Sequence, residues 1–557
     1  MPDSPDGRTA AAPAETARPT PPRARLRHRI PRSLRQHWKW PVAFVVFVLV
    51  MATVFGGWKI RPFITGDADV IASEITTNVA GNVDLFDPSV SHELTIDMTD
   101  AEYRSMLSSF EKDGSKDWVA ADVVIDGTRL DDVAVRLKGN STLMGLRGRG
   151  FGPGGDRTGG GPPGPPGGVD GVPGQAPPGF DPAALDPAAL DPAAMERMRK
   201  TMTQVSNDDP TSLPLLLSFD EYFDGRAYQG MTELSVRPGS PVVNEATALS
   251  VTTQTGQASQ RYGYVTYSIN GSATASKLVL EHPDASYAES LFDSKGYLYK
   301  ADANSRLKYV GDDQSDYAEQ FVQINSVGNG NLQPVINLAR WLDSADDREF
   351  AEELDQWVDV KSFARYVATQ NLLGNGDDMS GPGQNYYLWY DLESKKLTVV
   401  SWDLNLAMNG DPGAGPDDEV SIGPMGGRRG QQPPGAGGPQ PAADGKQPAA
   451  DAMSPPEGAG PGGARPPALR DVKNPLKTRF LAAATEPGGA FVDLYRSTYW
   501  ELYDQIYADA LADSVLDGVA EAVPVTDKLS AGDREEAVES LRSWIANRTA
   551  ALASQRD

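Results

Sequence analysis

The chain reads as an α+β protein, with a β-rich first part, a largely helical second part and one apolar segment ahead of both. Three observations carry that reading. Strand-like alternation punctuated by Asp-Gly and Asn-Gly turns dominates between His92 and Glu281. From Gln333 onward, apolar residues recur at helical spacing. Residues 40–58, WPVAFVVFVLVMATVFGGW, contain no charge. A β-rich part followed by a helical one predicts two lobes with a cleft between them.

The apolar segment is justified by its length and flanks. At about 1.5 Å per residue it reaches roughly 28 Å, the hydrocarbon thickness of a bilayer. Trp38, Trp40 and Trp58 stand at its ends, where indoles favour the membrane interface. Residues 1–39 hold nine Arg/Lys against three acids. The positive-inside rule makes 1–39 a basic cytoplasmic arm and sends everything after residue 60 outside. Val54-Phe-Gly-Gly-Trp58 is a poor cleavage site, which favours a transmembrane signal anchor over a cleaved signal peptide.

After a linker at 59–90, His92–Asp97 reads as a strand, and Thr99 or Asp100 caps a helix over Ala101–Phe110. Trp118–Ile125 and Asp132–Lys138 flank Asp126-Gly127 as a hairpin. Leu213–Phe219 and Thr232–Val236 are strands, and Tyr262–Ile269 with Ser276–Glu281 forms a second hairpin at Asn270-Gly271. Helices follow at Gln333–Leu342, Asp346–Leu354 and Val360–Leu373, the last capped by Asp359. Strands return at Tyr386–Tyr390 and Leu397–Trp402, and helical spacing runs through Phe491–Leu511 and Arg534–Leu552. Two Gly/Pro-rich insertions, 144–211 and 411–473, read as disordered or loose polyproline-like loops. The folded domain is therefore 91–143 with 212–410, closed by helices in 474–557.

Composition excludes several chemistries. There is no cysteine, so disulfides, thiolate nucleophiles and Cys-type zinc sites are ruled out. The four histidines (His28, His37, His92 and His282) are too few and too scattered to support a histidine metal site or a Ser-His-Asp triad. A net charge of −25 on a chain with a basic arm leaves a strongly acidic body, which argues against nucleic-acid binding. Gly150–Gly155 formally matches GxGxxG, but Pro and Gly follow where a phosphate-binding loop needs a helix. No pair of glutamates stands out at strand ends, so a glycosidase is a distant reading.

Two segments concentrate the remaining chemistry, Asn375-Gly-Asp-Asp-Met-Ser-Gly-Pro-Gly-Gln-Asn385 and Ser401-Trp-Asp-Leu-Asn405. Each sets carboxylate and amide oxygens beside an aromatic strand, and a hairpin between them would bring the two into one cleft. Such oxygens suit Mg²⁺, and Mg²⁺ with a general base suits phosphoryl transfer. A carboxylate at Asp403, on a buried strand end, is costly unless paired or bound to metal. Arg136 and Lys138 alternate along a strand and so share a face that ends in Gly139-Asn140-Ser141, a pattern suited to phosphates or, equally, to a solvated strand edge.

Taken in chain order, RLKGNST (136–142), FDEYFDGRAYQG (219–230), YSINGS with LVLEHPD (267–284), NLLGNGDDMSGPGQNYYLWYD (371–391), VVSWDLNLAM (399–408) and NPLKTRFLA (474–482) resemble the CotH family, the spore-coat-protein-H-like atypical kinases. The resemblance spans roughly 91–143, 212–410 and 474–553. It implies an atypical two-lobed protein-kinase-like fold, facing outward from a bacterial cell membrane. The implied activity transfers the ATP γ-phosphoryl to Ser/Thr of a protein or other cell-surface acceptor. By the same resemblance Asp377 is the catalytic aspartate, with Asp378 the adjacent alternative. Asn385, Asp403 and Asn405 would hold Mg²⁺ (or Mn²⁺), Arg136, Lys138 and Asn140 would contact phosphates, and Glu281 would lie near the nucleotide. The acidic body favours a basic, Ser-rich substrate.

Some positions depart from the family pattern. Ser401 and Asn405 stand where the family often has proline and a second aspartate, and Ala273-Thr-Ala275 replaces Gly-x-Tyr. An amide at 405 adds no charge to a metal site. A non-catalytic pseudokinase that scaffolds the envelope or binds wall polymer is the alternative, with the Gly/Pro tracts as spacers.

Overall fold

A computed structural model describes residues 75–139, 142–147, 205–325, 331–420 and 473–556, together with Lys39, Phe44 and Phe47. The chain divides into Met1–Ala68 and Asp69–Asp557, and the architecture below is that of the second unit. Among the described residues no helix is long and apolar enough to cross a membrane. The expected anchor, apart from Phe44 and Phe47, lies outside the described residues, as do Asn140, the GxGxxG stretch and most of both Gly/Pro tracts.

Strict alternation builds the first half. A short strand β1 (Thr77–Val79) pairs in parallel with β6 (Arg226–Tyr228). Strands β2 (His92–Asp97), β3 (Val119–Ile125), β4 (Thr128–Leu137), β5 (Leu215–Ser218), β7 (Glu233–Val236), β8 (Tyr262–Ile269) and β9 (Ala275–Glu281) close into a barrel of order β2-β3-β4-β5-β7-β9-β8. The closing contact is the parallel pair β2–β8. Val123, Val135, Leu137, Leu217, Leu234, Tyr267 and Val279 are among its interior residues. Period-2 geometry sends the neighbours of these residues to the outer face, and Arg136 and Ser235 are therefore outside. The two expected turns form: Asp126 and Gly127 have φ of 48° and 78°, joining Ile125 to Thr128 as a type I′ loop, and Asn270 and Gly271 have φ of 50° and 69°.

A second, antiparallel sheet has the order β11-β10-β12-β13, from β10 (Gly296–Ala301), β11 (Phe321–Gln323), β12 (Tyr386–Asp391) and β13 (Leu397–Ser401). Helix α1 (Asp100–Asp113) starts at a Thr99/Glu102 capping box and ends at left-handed Gly114. The remaining helices are α2 (Val243–Gln254), α3 (Ala285–Leu291), α4 (Gln333–Ser344), α5 (Asp347–Glu353), α6 (Val360–Leu372), α7 (Pro475–Thr485), α8 (Val492–Tyr503), α9 (Leu511–Ala522) and α10 (Ala531–Arg556). Asp346 and Asp359 cap α5 and α6 through backbone N–H groups of their first turns. The single helix expected over 491–511 is instead α8, a π-helical turn at Asp504–Ala508, and a break at left-handed Ala510. The α+β class stands; the closed barrel, α2 and the second sheet's first two strands go beyond the sequence reading.

One buried cation ties the helical half together. Arg548 on α10 is fully buried, and every polar contact given for it is to a neutral oxygen. Its Nε donates to the Leu372 carbonyl at 3.2 Å, and Nη2 donates to the carbonyl of Asn371 at 2.8 Å and to its side-chain oxygen at 3.0 Å. Nη1 donates to the carbonyls of Pro412, at 3.0 Å, and Ala414. Two of those carbonyls end α6, where the helix dipole is negative and favours a cation. The other two belong to residues 411–420, so the opening of the second Gly/Pro tract is packed against α10. Arg548→Met leaves the Pro412 and Ala414 carbonyls without donors among the described residues, at about 1–3 kcal/mol each, while the Leu372 carbonyl keeps the Tyr507 hydroxyl at 2.7 Å and the Asn371 carbonyl keeps the Gly374 N–H at 2.9 Å. The expected loss in unfolding free energy is about 3 kcal/mol or more, read from chemical denaturation of the full chain; a loss below about 1 kcal/mol would contradict this role.

Candidate functional site

The register of β12 and β13 assembles the acidic residues. Tyr386 pairs with Ser401 and Tyr390 with Leu397, so the start of β12 and the end of β13 share one end of the sheet. Asn385 immediately precedes β12, and Asp403 follows β13 by two residues. Lys300 pairs with Tyr387 from the other side and joins the same end. Beyond Trp402 the chain turns through Asp403 at φ 54°, ψ 59°, then makes a 3₁₀ turn at Leu404–Leu406. Aspartate tolerates this left-handed conformation better than most residues.

The Asn375–Asn385 segment is a built loop. Asn375 is buried and donates through Nδ2 to Gln370 Oε1 at 2.7 Å, while Gln370 Nε2 donates to Ser401 Oγ at 2.9 Å. That chain links the loop after α6 to the end of β13. It also gives Ser401 a task that a proline could not perform, since proline has no hydroxyl to accept the amide hydrogen. Asp377 Oδ1 accepts from the Gly383 N–H at 2.7 Å. A Cβ at Gly383 would stand 2.8 Å from both Asp377 Oδ2 and Asn385 Nδ2, so the close turn requires glycine.

Asp377 and Asp378 are separated by their partners. Asp378 is buried, accepts from the Ser380 N–H at 2.8 Å and is ion-paired with Lys477 of α7. Asp377 has no cationic partner among the described residues. Burial pushes its carboxyl up to about 6, opposed by the Gly383 N–H, reinforced by Asp403 and Asp378, and opposed again by a hydrogen bond from Asn385. Because the Asn385 amide nitrogen donates there, its oxygen is left as the acceptor end.

Asp403 connects this acidic side to a cationic one. Its Oδ1 accepts from Arg237 Nη2 at 2.5 Å, and the same guanidinium nitrogen pairs with the fully buried Glu245 of α2. Burial opposes the charge on Arg237, but Asp403 and Glu245 hold it protonated beyond the usual arginine range. Burial raises Glu245, with Arg237 pulling it back. Asn244, the preceding residue of α2, donates to the carbonyls of Asn405 at 2.7 Å and Ala407 at 3.0 Å. One helix thus grips both the Asp403 carboxylate, through Arg237, and the turn that follows it.

On the outer face of the barrel end, Lys138 Nζ bonds Ser235 Oγ and lies 3.1 Å from His282 Nδ1. It stands 5.2 Å from the centre of the Trp402 ring, and Lys300 Nζ stands 5.6 Å from the same ring. Arg136 stacks on Trp118 at 4.6 Å, and its buried Nε has no partner among the described residues. Burial drives Lys138 well below the usual lysine range, aided by Arg237 and Lys300 and opposed by Asp403 and Glu233. Burial together with Arg136 and Lys300 pushes Lys116 down to about 8. Crowded, partly desolvated cations with an orphaned donor define an anion-binding surface.

Two expected members are not drawn in. Glu281 shares the interior face with Val279 and is ion-paired with Arg261 at 2.7 Å; Asp403 and Glu233 are the carboxylates near Lys138 instead. Asn405 is exposed on the 3₁₀ turn, with its carbonyl engaged by Asn244. Arg237, Glu245, Lys300, His282 and Trp402 went unrecognised in the sequence reading, although the last two stand inside quoted motifs. Asp403, Asn385 and Asp377 offer the carboxylate and amide oxygens that hard divalent cations prefer, and the mutual repulsion of Asp377 and Asp403 is what such a cation would relieve.

Fold and site together define an α+β protein that sets an anion-binding cation cluster against paired carboxylates. Residues 216–437 match the family described as CotH kinase protein, which supports the resemblance to the CotH family over this region. The match supports a kinase-like function at the level of the family. The match takes in Asp377, Asp378, Asn385 and Asp403, while Arg136 and Lys138 precede it. No curated protein matches the chain.

The raised Asp377 carboxyl sets a stability expectation. Its unfolded value is the ordinary 3.8 and its folded value about 6, so ionisation disfavours the native state as pH rises from one to the other. Metal-free Asp377→Asn should therefore melt above the parent at pH 7–8, with the advantage shrinking as pH falls toward 4. A pH series of thermal melts checks this; an Asp377→Asn protein less stable at pH 8 than the parent would contradict it.

Proposed function

We propose that this protein transfers the γ-phosphoryl group of ATP to a Ser/Thr hydroxyl of a protein or other cell-surface acceptor. The observation that carries the reading is Asp403, which is held by the Arg237–Glu245 pair and coupled electrostatically to Asp377 on one side and Lys138 on the other. Phosphoryl transfer needs an arrangement of this kind: cations for the phosphate chain, a metal-binding carboxylate, and a base for the attacking hydroxyl.

In this reading Arg136, Lys138 and Lys300 bind the phosphates, and Trp402 walls that side against water. Asp403 and the Asn385 oxygen would hold Mg²⁺ or Mn²⁺, which would neutralise charge on the phosphate oxygens. Asp377 orients the acceptor hydroxyl and takes its proton as the new O–P bond forms and the β–γ bridging bond breaks, with ADP leaving. A base raised to about 6 is ionised at neutral pH yet more basic than an ordinary carboxylate. Asp378, paired with Lys477, supports the loop and is not the base.

The domain would face outward, tethered by the segment at 40–58, and its acidic charge would steer basic, Ser-rich substrates toward it. Full-length protein incubated with labelled ATP, Mg²⁺ or Mn²⁺ and such a substrate should incorporate label. Asp377→Asn and Asp403→Ala should each lower kcat/KM by at least about a hundredfold, a range typical of lost base or charge stabilisation. Parent activity should fall as pH drops through about 6, where Asp377 takes up its proton. Label transfer that survives Asp403→Ala, or its absence from the parent, would leave the scaffold reading in its place.

A further inference from the structure

Lys138 is an awkward phosphate ligand on its own, because four flexible methylene groups let an ammonium wander. Here two acceptors on neighbouring strand ends restrain it. Ser235 Oγ accepts one N–H, and the second partner is a ring nitrogen, His282 Nδ1 at 3.1 Å. A phosphate-binding ammonium only donates, so in that state Nδ1 presents its lone pair. The ring proton then sits on Nε2, which faces Glu233 Oε2 at 3.5 Å. The ring is also stacked edge-on against Trp402, with centroids 5.6 Å apart.

The cations around the ring favour a neutral imidazole, and Glu233 beside Nε2 favours the tautomer with its proton there. Lys138 and Arg136 come from the end of β4, Arg237 from beyond β7 and Lys300 from β10. After burial itself, these four cations push the imidazole well below its usual range, and Glu233 is the acid that faces it. A second proton on His282 would also remove the acceptor that Lys138 uses.

We propose that His282 is a positioning residue for Lys138: its Nδ1 takes one ammonium hydrogen, Ser235 takes another, and the third is reserved for an oxygen of an oligophosphate ligand. The inference rests on the phosphate-binding part of the reading above and adds a residue to it. His282 touches no reacting atom and acts only through Lys138.

The probe is inorganic tripolyphosphate, titrated calorimetrically into the full chain without metal, followed by ATP kinetics on the same proteins. His282→Asn keeps an acceptor oxygen close to the position of Nδ1; His282→Leu keeps the bulk and removes the acceptor. His282→Leu should weaken tripolyphosphate binding about tenfold and raise KM for ATP with little change in kcat, while His282→Asn recovers most of the affinity. In a Lys138→Met background, His282→Leu should have almost no further effect.

Equal weakening by both substitutions, or an undiminished effect in the Lys138→Met background, would overturn the inference while leaving the kinase reading intact. Histidine-dependent tripolyphosphate binding without phosphoryl transfer would uphold it and remove the kinase reading. A parent protein that does not bind tripolyphosphate overturns it outright.

Discussion

The buried guanidinium of Arg548 is the interaction on which the acidic half of the site depends. A charge without a carboxylate partner is expensive to bury, and here it is stabilised by a ring of carbonyls drawn from two separate places. One set ends α6 and leads into the Asn375–Asn385 loop, and the other lies in the chain that continues from Asp403. Trp544, one turn earlier on α10, donates to the Gly410 carbonyl at 2.9 Å and packs its ring against Gly374. A single helix far along the chain thereby holds the two acidic segments against each other. Lysine could not replace this contact, because one ammonium cannot reach five oxygens spread around a planar fork.

Above that base, the site is organised by unequal sharing of charge. Asp378 has Lys477, Glu245 and Asp403 share Arg237, and Asp377 has no cation among the described residues. The adjacent aspartates are equivalent as residue types and differ only in what faces them, and that difference separates a structural carboxylate from a reactive one. On the cation side the imbalance is reversed: Arg136, Lys138, Lys300 and Lys116 crowd together, with Glu233 and, beside Lys138 and Lys300, Asp403 as acids near them. Each half is unfavourable alone, and a ligand carrying phosphates and a divalent cation would relieve both. Such stored imbalance is typical of sites kept for binding rather than stability.

Much of this was legible in residue order. Asp-Gly and Asn-Gly turns, capping residues at Thr99 and Asp359, and the aromatic strand after Asn385 all use local chemistry, and local chemistry survives without tertiary context. Helix α2 was not legible. Its Val/Thr-rich sequence buries nearly every side, so it shows no amphipathic stripe, and Glu245 within it reads as an ordinary surface acid. Glu281 misled for the opposite reason. Its motif suggested the ligand side, but strand parity gives it the face of Val279, where Arg261 pairs with it.

By itself the sequence determined the α+β class, the resemblance to a family and the acidic residues on either side of the β12–β13 hairpin, because these depend on residue type, spacing and turn chemistry over short distances. Tertiary structure alone decided which of two adjacent aspartates stays unpaired, that Arg237 rather than a motif lysine bridges to Asp403, and that His282 stands against Lys138. Those outcomes come from contacts between residues 99 to 166 positions apart, where strand pairing and burial set the field that each side chain experiences.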